Sequence, residues 1–255
     1  MATAVAAPRP EARAFQAPWW AYSVFFMGAQ GLFTVYVFSV LLFDESRYQA
    51  GPYLSSFVSP VLPIHVAIGS FILSPGFFIL WSPLGFRASC YYYRKAYYRA
   101  FGAPPACAMK VPDTLQRIPY TGERKFPWAL WNFHRFFLYT ALANVAFLAL
   151  DLFHSLGSQG HAYLGLGTLV LLANVVALSA YCFSCHSFRH WVGGSLDCYS
   201  CSAFARTRRG IWNWVTALNE RHGLYALVSL FTVWAVDIYV RLLAHGVLAD
   251  PHITF

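Results

Sequence analysis

The sequence predicts an all-α, polytopic membrane protein: a bundle of five transmembrane helices, N-terminus cytoplasmic and C-terminus outside. Three observations carry this expectation. The 255 residues are 58% apolar and only 11% charged, against about 25% charged in an ordinary soluble domain. Five segments, 19–43, 56–81, 128–152, 163–183 and 224–243, are apolar over the roughly 20 residues that one bilayer crossing needs. Trp and Tyr gather at many of their ends, where their rings suit the membrane–water interface. The Lys and Arg residues, finally, fall on alternate connections, which orients the bundle.

Residues 1–18, rich in Ala and Pro and carrying Arg9 and Arg13, read as a flexible cytoplasmic tail. Residues 19–255 read as one membrane domain without internal repeat or linker. The first segment is too long and too aromatic for a cleaved signal sequence, and no small-residue cleavage site follows it. Its following loop holds a single basic residue, Arg47. The second segment contains Pro63 and the run Ser74–Pro75–Gly76, which predict a kinked helix, with His65 near its middle.

The connection 82–127 is a large cytoplasmic loop, because Arg87, Arg94, Lys95, Arg99, Lys110, Arg117, Arg124 and Lys125 oppose only Asp113 and Glu123. The loop 153–162 after the third segment has neither Lys nor Arg. The second large cytoplasmic loop, 184–223, carries Arg189, Arg206, Arg208, Arg209 and Arg221. The net charge of +8 thus reports topology, and no nucleic-acid partner is expected. In the fifth segment Asp237 and Arg241 stand one turn apart, the spacing of an intrahelical ion pair, with a proton relay as the functional alternative for Asp237. Asp151 and His154 mark the outer end of the third segment.

This topology places Cys90, Cys107, Cys182, Cys185, Cys198 and Cys201 on the cytoplasmic side, where thiols stay reduced; free thiols or metal ligands are expected there. Six soft-metal donors share the stretch YCFSCHSFRHWVGGSLDCYSC: Cys182, Cys185, His186, His190, Cys198 and Cys201. Thiolate with imidazole selects zinc, copper or iron–sulfur chemistry. If the fourth helix runs on to Trp191, its four donors cover one flank of the helix. Gly193–Gly194 then ends it, and Cys198–Cys201 forms a facing C-x-x-C knuckle. Two Cys and two His suit tetrahedral zinc or a Rieske-type [2Fe–2S] cluster. A haem b held by His134 and His186, level in the membrane, is the competing cofactor.

Ionisable groups inside a span are costly and therefore functional candidates. Trp131, His134 and Arg135, in WNFHRFFLY, form a candidate quinone head-group site, with donors from His and Arg and a flat wall from Trp. Snorkelling of Arg135 to lipid phosphates is the structural alternative.

The segments WNFHRFFLYTALANVAFLALDLF, CHSFRHWVGGSL and LNERHGLYALVSLFTVWAVDIYVRL resemble the single-chain, five-helix membrane anchor of actinobacterial succinate dehydrogenases, over roughly the second half of the chain. The matching residues are Asn132, His134, Arg135, Cys185, His186, Arg189, His190, Gly193 and Gly194. The family pattern has a second cysteine where this chain has Phe188, which moves the ligand burden to Cys182, Cys198 or Cys201. The resemblance implies respiratory complex II in a bacterial plasma membrane. A soluble flavoprotein would oxidise succinate and an iron–sulfur subunit relay the electrons. This chain would pass them to a quinone, menaquinone being the expected one. SCYYYRKAYYRAFG suits the docking of such a partner. A subunit of another quinone oxidoreductase and a zinc-stabilised scaffold are the other classes to be distinguished.

Overall fold

The computed structural model describes residues 18, 20–44, 46–64, 66–69, 71–97, 126, 128–157, 163–194 and 196–254. The expected N-terminal tail, most of the basic loop with Cys107, and His65 lie outside the described residues. Among the described residues, four helices are long and apolar enough to cross a membrane. They are α1 (Ala21–Phe43), α4 (His134–Leu156, preceded by a 3₁₀ stretch Trp128–Phe133), α5 (Leu166–Phe183) and α8 (His222–Ala244).

These spans are apolar all round, and their inward faces are marked by what they bury. On α1, Ser23, Phe26, Phe33, Val37 and Leu41 line one helical face; on α4, Leu138, Ala141, Leu148, Leu152 and Ser155 do so. The outward faces show Val24, Leu32 and Val35 on α1, and Phe136, Phe147, Leu150 and Phe153 on α4. An apolar exterior over a core holding small polar residues is what a bilayer solvent selects. α8 packs most extensively on α5, and α5 on α4.

The second expected span, 56–81, is different. A short hairpin β1–β2 (Gln49–Ala50, Tyr53–Leu54) leads into an irregular stretch, then into a hairpin β3–β4 (Val66–Ile68, Phe71–Leu73). Helix α2 (Phe77–Ser89) begins only after Ser74–Pro75–Gly76. Pro60 and Pro63 cannot donate to a helical ladder, so this segment is broken rather than kinked. With 13 residues, α2 is about 20 Å long, short of the roughly 30 Å hydrocarbon core. The first part of the irregular backbone is buried in protein, where it is tolerated: Ser55, Phe57, Val58 and Ser59 are all inaccessible or nearly so, while Val61 and Ile72 beyond it are exposed.

The connections divide the molecule into two ends. At the basic end lie the C-terminus of α2, helix α3 (Tyr91–Tyr97), the start of α4, the end of α5, the short helix α6 (His186–Gly193), the amphipathic helix α7 (Ala203–Asn219) and the start of α8. Gly193 lies where α6 meets α7: a Cβ there would sit 2.1 Å from the Trp212 ring. At the opposite end, strand β5 (Tyr163–Gly165) pairs with β6 (His252–Thr254) beside β1–β2 and the start of α5.

Candidate functional site

The six expected metal donors stand in three separate places. Helix α5 does not continue to Trp191; it ends at Phe183, and extended backbone at Cys185 starts α6 in a new direction. Cys182 and Cys185 are buried, whereas His186 and His190 lie on the exposed side of α6. Cys198 and Cys201 are joined as a disulfide, contrary to the expectation of free thiols; their Cα atoms are 5.8 Å apart, inside the range a disulfide spans. The four-ligand cage is therefore not assembled. Among the described residues no group of three or more His, Cys, Asp or Glu side chains is placed to hold a metal ion. The haem pair is not assembled either, since His186 is exposed and His134 is engaged at both ring nitrogens.

What the fold brings together instead are two buried His–Cys pairs. His134 Nε2 lies 3.2 Å from Cys185 Sγ and its Nδ1 lies 2.9 Å from Ser89 Oγ. Its ring stacks on Phe86, centroids 4.6 Å apart. His222 Nδ1 lies 2.7 Å from Ser184 Oγ and its Nε2 3.6 Å from Cys90 Sγ, with the ring stacked on Tyr181. Cys90, Cys182 and Cys185 belong to one core cluster with Phe86 and Tyr181. Burial pushes the Cys185 thiol up to about 11, against the opposing backbone N–H groups of Ser187 and Phe188, so in this packing it is a neutral thiol.

Beside these pairs, between α1, α2, α4, α5 and α8, lies a largely apolar cavity of about 70 Å³, room for several water-sized groups at the roughly 10–15 Å³ each needs. Its walls include Phe86, Arg87, Asn144, Tyr181, Cys182 and Ser59. Arg87 donates from Nη1 to Tyr93 Oη and the Ala226 carbonyl, each at 2.9 Å, and from Nη2 to Ser229 Oγ at 3.1 Å. Its guanidinium sits over the Tyr181 ring. Among the described residues no carboxylate pairs with it. The buried Tyr181 hydroxyl lies against the Cys90 thiol, its side-chain hydrogen-bond partner. A buried cation at a cavity wall without a described counter-anion is costly and suits a ligand carrying electronegative oxygen.

None of the three expected quinone contacts is among the cavity-lining residues. Trp131 lies under the Arg94 guanidinium, Arg135 is exposed with its guanidinium over Phe136, and His134 reaches the cavity wall only through Phe86. Arg87 had read as one more loop charge. Cys90 and His222, 132 positions apart in sequence, gave no spacing signal. Tyr181 was an unremarked aromatic at a helix end.

The expected Asp237–Arg241 pair is present at the opposite end, Arg241 Nε to Asp237 Oδ2 at 2.9 Å. Arg241 Nη1 continues to Asp44 Oδ2 at 3.0 Å, and Tyr36 Oη donates to Asp237 at 2.6 Å. Asp237 is thus consumed by structural partners.

The sequence model of the actinobacterial succinate dehydrogenase subunit SdhC family matches residues 22–246. Among solved structures, a chain of the Mycobacterium smegmatis Sdh1 complex in the apo form is similar to this one. It is 35% identical, with a TM-score of 0.78 over 96% of this chain and 95% of that one. No match is found among curated protein sequences.

Proposed function

The chain belongs to the actinobacterial succinate dehydrogenase SdhC family, and from that premise we propose that it delivers electrons to a quinone held in the Arg87–Tyr181 cavity. As the membrane subunit of a succinate dehydrogenase complex, its partners are the flavoprotein and iron–sulfur subunits. The Arg-bearing surface of α3, α6 and α7 offers the soluble partner a cytoplasmic docking face, by the preference of basic residues for that side. Menaquinone is the expected quinone.

The observation that carries this reading is Arg87, 4% exposed and unpaired by any described carboxylate. A quinone carbonyl gains negative charge as electrons arrive, and a preorganised guanidinium in a dry site stabilises that charge strongly. The Tyr181 hydroxyl can donate to the same oxygen. Apolar walls from Phe33, Leu80, Leu148 and Val233 suit the ring. Replacing Arg87 by Leu should lower quinone reduction by about 10²-fold and leave dye-linked succinate oxidation by the assembled complex intact. Unchanged quinone reduction in Arg87→Leu would overturn the proposal.

For the electron relay, the ligand set of the Rieske-type proposal moves from the Cys-rich loop to the core. Such a centre takes two imidazoles on one iron and two thiolates on the other, so it asks for two pairs of donors rather than three on one ion. His134 and His222 with Cys185 and either Cys90 or Cys182 have that composition. When bound there, the cluster would supply one-electron transfer; the chain's residues position it next to the cavity through Phe86 and Tyr181. His134→Gln and Cys185→Ser should each remove the same low-average-g EPR signal and the same two irons from the purified complex. Wild-type complex free of any signal beyond those of the soluble subunits would refute the centre. The zinc reading has less support, because His186 and His190 are exposed and Cys198 and Cys201 are joined to each other.

A further inference from the structure

We propose that the quinone in this cavity receives its protons from the end of the bundle opposite to the electron donor, through Asp151 and Ser59. The inference rests on the cavity reading above and adds to it a direction for the proton. Ser59, 2% exposed, is a cavity-lining residue, and its hydroxyl donates to Asp151 Oδ2. Asp151 stands on α4 one turn beyond Leu148, itself a wall residue, and it is only partly buried. His154, one further turn towards the helix end, is exposed and is the described ionisable group whose charge acts on Asp151. A carboxylate in contact with both the surface and a cavity hydroxyl is a two-step path for a proton. Arg87 and Tyr181, at the basic end of the cavity, offer no comparable route: Arg87 stays protonated and the Tyr181 hydroxyl leads only to the Cys90 thiol, itself buried away from water.

The chemistry balances. Quinone takes two electrons, supplied by succinate oxidation in the soluble subunits, and two protons. With Asp151 ionised, Ser59 donates to it, as observed. Once Asp151 is protonated from water the bond reverses: Asp151 donates to Ser59, and Ser59 passes its own proton to the carbonyl oxygen of the ring that faces away from Arg87. Each passage leaves Asp151 ionised and ready for the next proton. Because the electrons come from the basic end and the protons from the other, turnover is electrogenic.

The test uses the whole complex in liposomes that enclose a pH-sensitive dye, with valinomycin and K⁺ to collapse the potential. Succinate added outside addresses only complexes whose soluble subunits face out, so the Asp151 end faces the lumen. Wild-type turnover with a short-chain quinone should make the lumen alkaline, and a protonophore should abolish the change. Asp151→Asn should slow quinone reduction at least tenfold with dye-linked succinate oxidation retained, and Asp151→Glu should restore it. A wild-type lumen that stays at constant pH overturns the route. So does an Asp151→Asn complex that still takes the wild-type number of lumenal protons per quinone, whatever its rate. Ala141→Phe, which fills the cavity, separates the two readings. If it leaves quinone reduction unchanged, the quinone lies elsewhere and the route falls with the cavity. If it blocks reduction and Asp151→Asn does not, only the route falls.

Discussion

Two arginines are buried to the same degree at opposite ends of the bundle, Arg241 at 5% and Arg87 at 4% exposure, and their surroundings differ in kind. Arg241 lies between Asp237 and Asp44, and Asp237 in turn accepts from Tyr36 and Ser55. Arg87 meets only neutral groups, a phenol, a carbonyl and a serine hydroxyl, and it borders empty space. The same contrast holds for tyrosines. Tyr53 and Tyr163 at the Arg241 end both donate to Asp250, at 2.6 and 2.8 Å, whereas Tyr181 meets only a neutral thiol, Cys90. An arginine held between two carboxylates is accounted for by the fold alone. A buried arginine that meets only neutral groups and borders empty space is the stronger candidate for a ligand contact.

The largest effect that sharpens this contrast is on stability. Arg241→Leu strands Asp237 as an unpaired charge with no solvent contact and should cost about 3–5 kcal/mol, read as a fall in the melting temperature of the purified complex. Arg87→Leu strands no charged partner, and Tyr93 and Ser229 keep their bonds to the Ala226 carbonyl, so its melting temperature should hold or rise even as quinone reduction is lost. The two variants should therefore cross: one unstable with normal turnover per folded complex, the other stable and inactive towards quinone. A pair of variants that both lose stability, with turnover per folded complex unchanged, would erase the distinction between the ends.

Most of the membrane architecture was legible in the sequence. The spans expected at 19–43, 163–183 and 224–243 become Ala21–Phe43, Leu166–Phe183 and His222–Ala244, because a bilayer-length apolar run leaves the backbone no option but an internal hydrogen-bond ladder. The expectation for 56–81 failed for the same physics in reverse. Apolar composition reports removal from water, and this stretch is apolar as irregular chain and hairpin, partly buried against protein at Phe57, Val58 and Ser59, which hydropathy cannot tell from a helix. The Asp237–Arg241 pair was readable because both residues sit on one helix a turn apart.

The site was less legible. Cys182, Cys185 and His134 were singled out, yet their partners were misassigned: a helix break at Ser184–Cys185 turns His186 and His190 outward, and one residue of extended backbone is invisible to a periodicity argument. Arg87 was counted with the loop charges because a charge census assigns sides of the membrane and says nothing of depth. The pairing of Cys90 with His222 exists only after the chain has folded. Ser59 and Asp151, 92 positions apart, meet for the same reason.

The smallest effect concerns the C-terminal strand, where the Asp250 cluster predicts a structural response to pH and no functional one. Asp250 holds β6 against β5 by accepting from Tyr239, Tyr53, the Gly167 N–H and Tyr163. Burial opposes its ionisation, but these hydrogen bonds prevail and hold its carboxyl below the usual range. A carboxyl with a folded pKa below its unfolded value, near 3.9 for Asp, stabilises at every pH above 3.9, and the contribution fades as pH falls through the lower folded value. Amide exchange across His252–Thr254 should thus be slower in the wild type than in Asp250→Asn at pH 7 and at pH 5. The ratio should be about three- to tenfold, the scale of one modest hydrogen bond, and should shrink towards one below about pH 4. Quinone reduction should be the same in both proteins at neutral pH. A ratio of one at pH 7 would mean that the strand is held by its β5 pairing alone. A loss of quinone reduction in Asp250→Asn would give the Asp250 cluster itself a functional role and break the comparison from the other side.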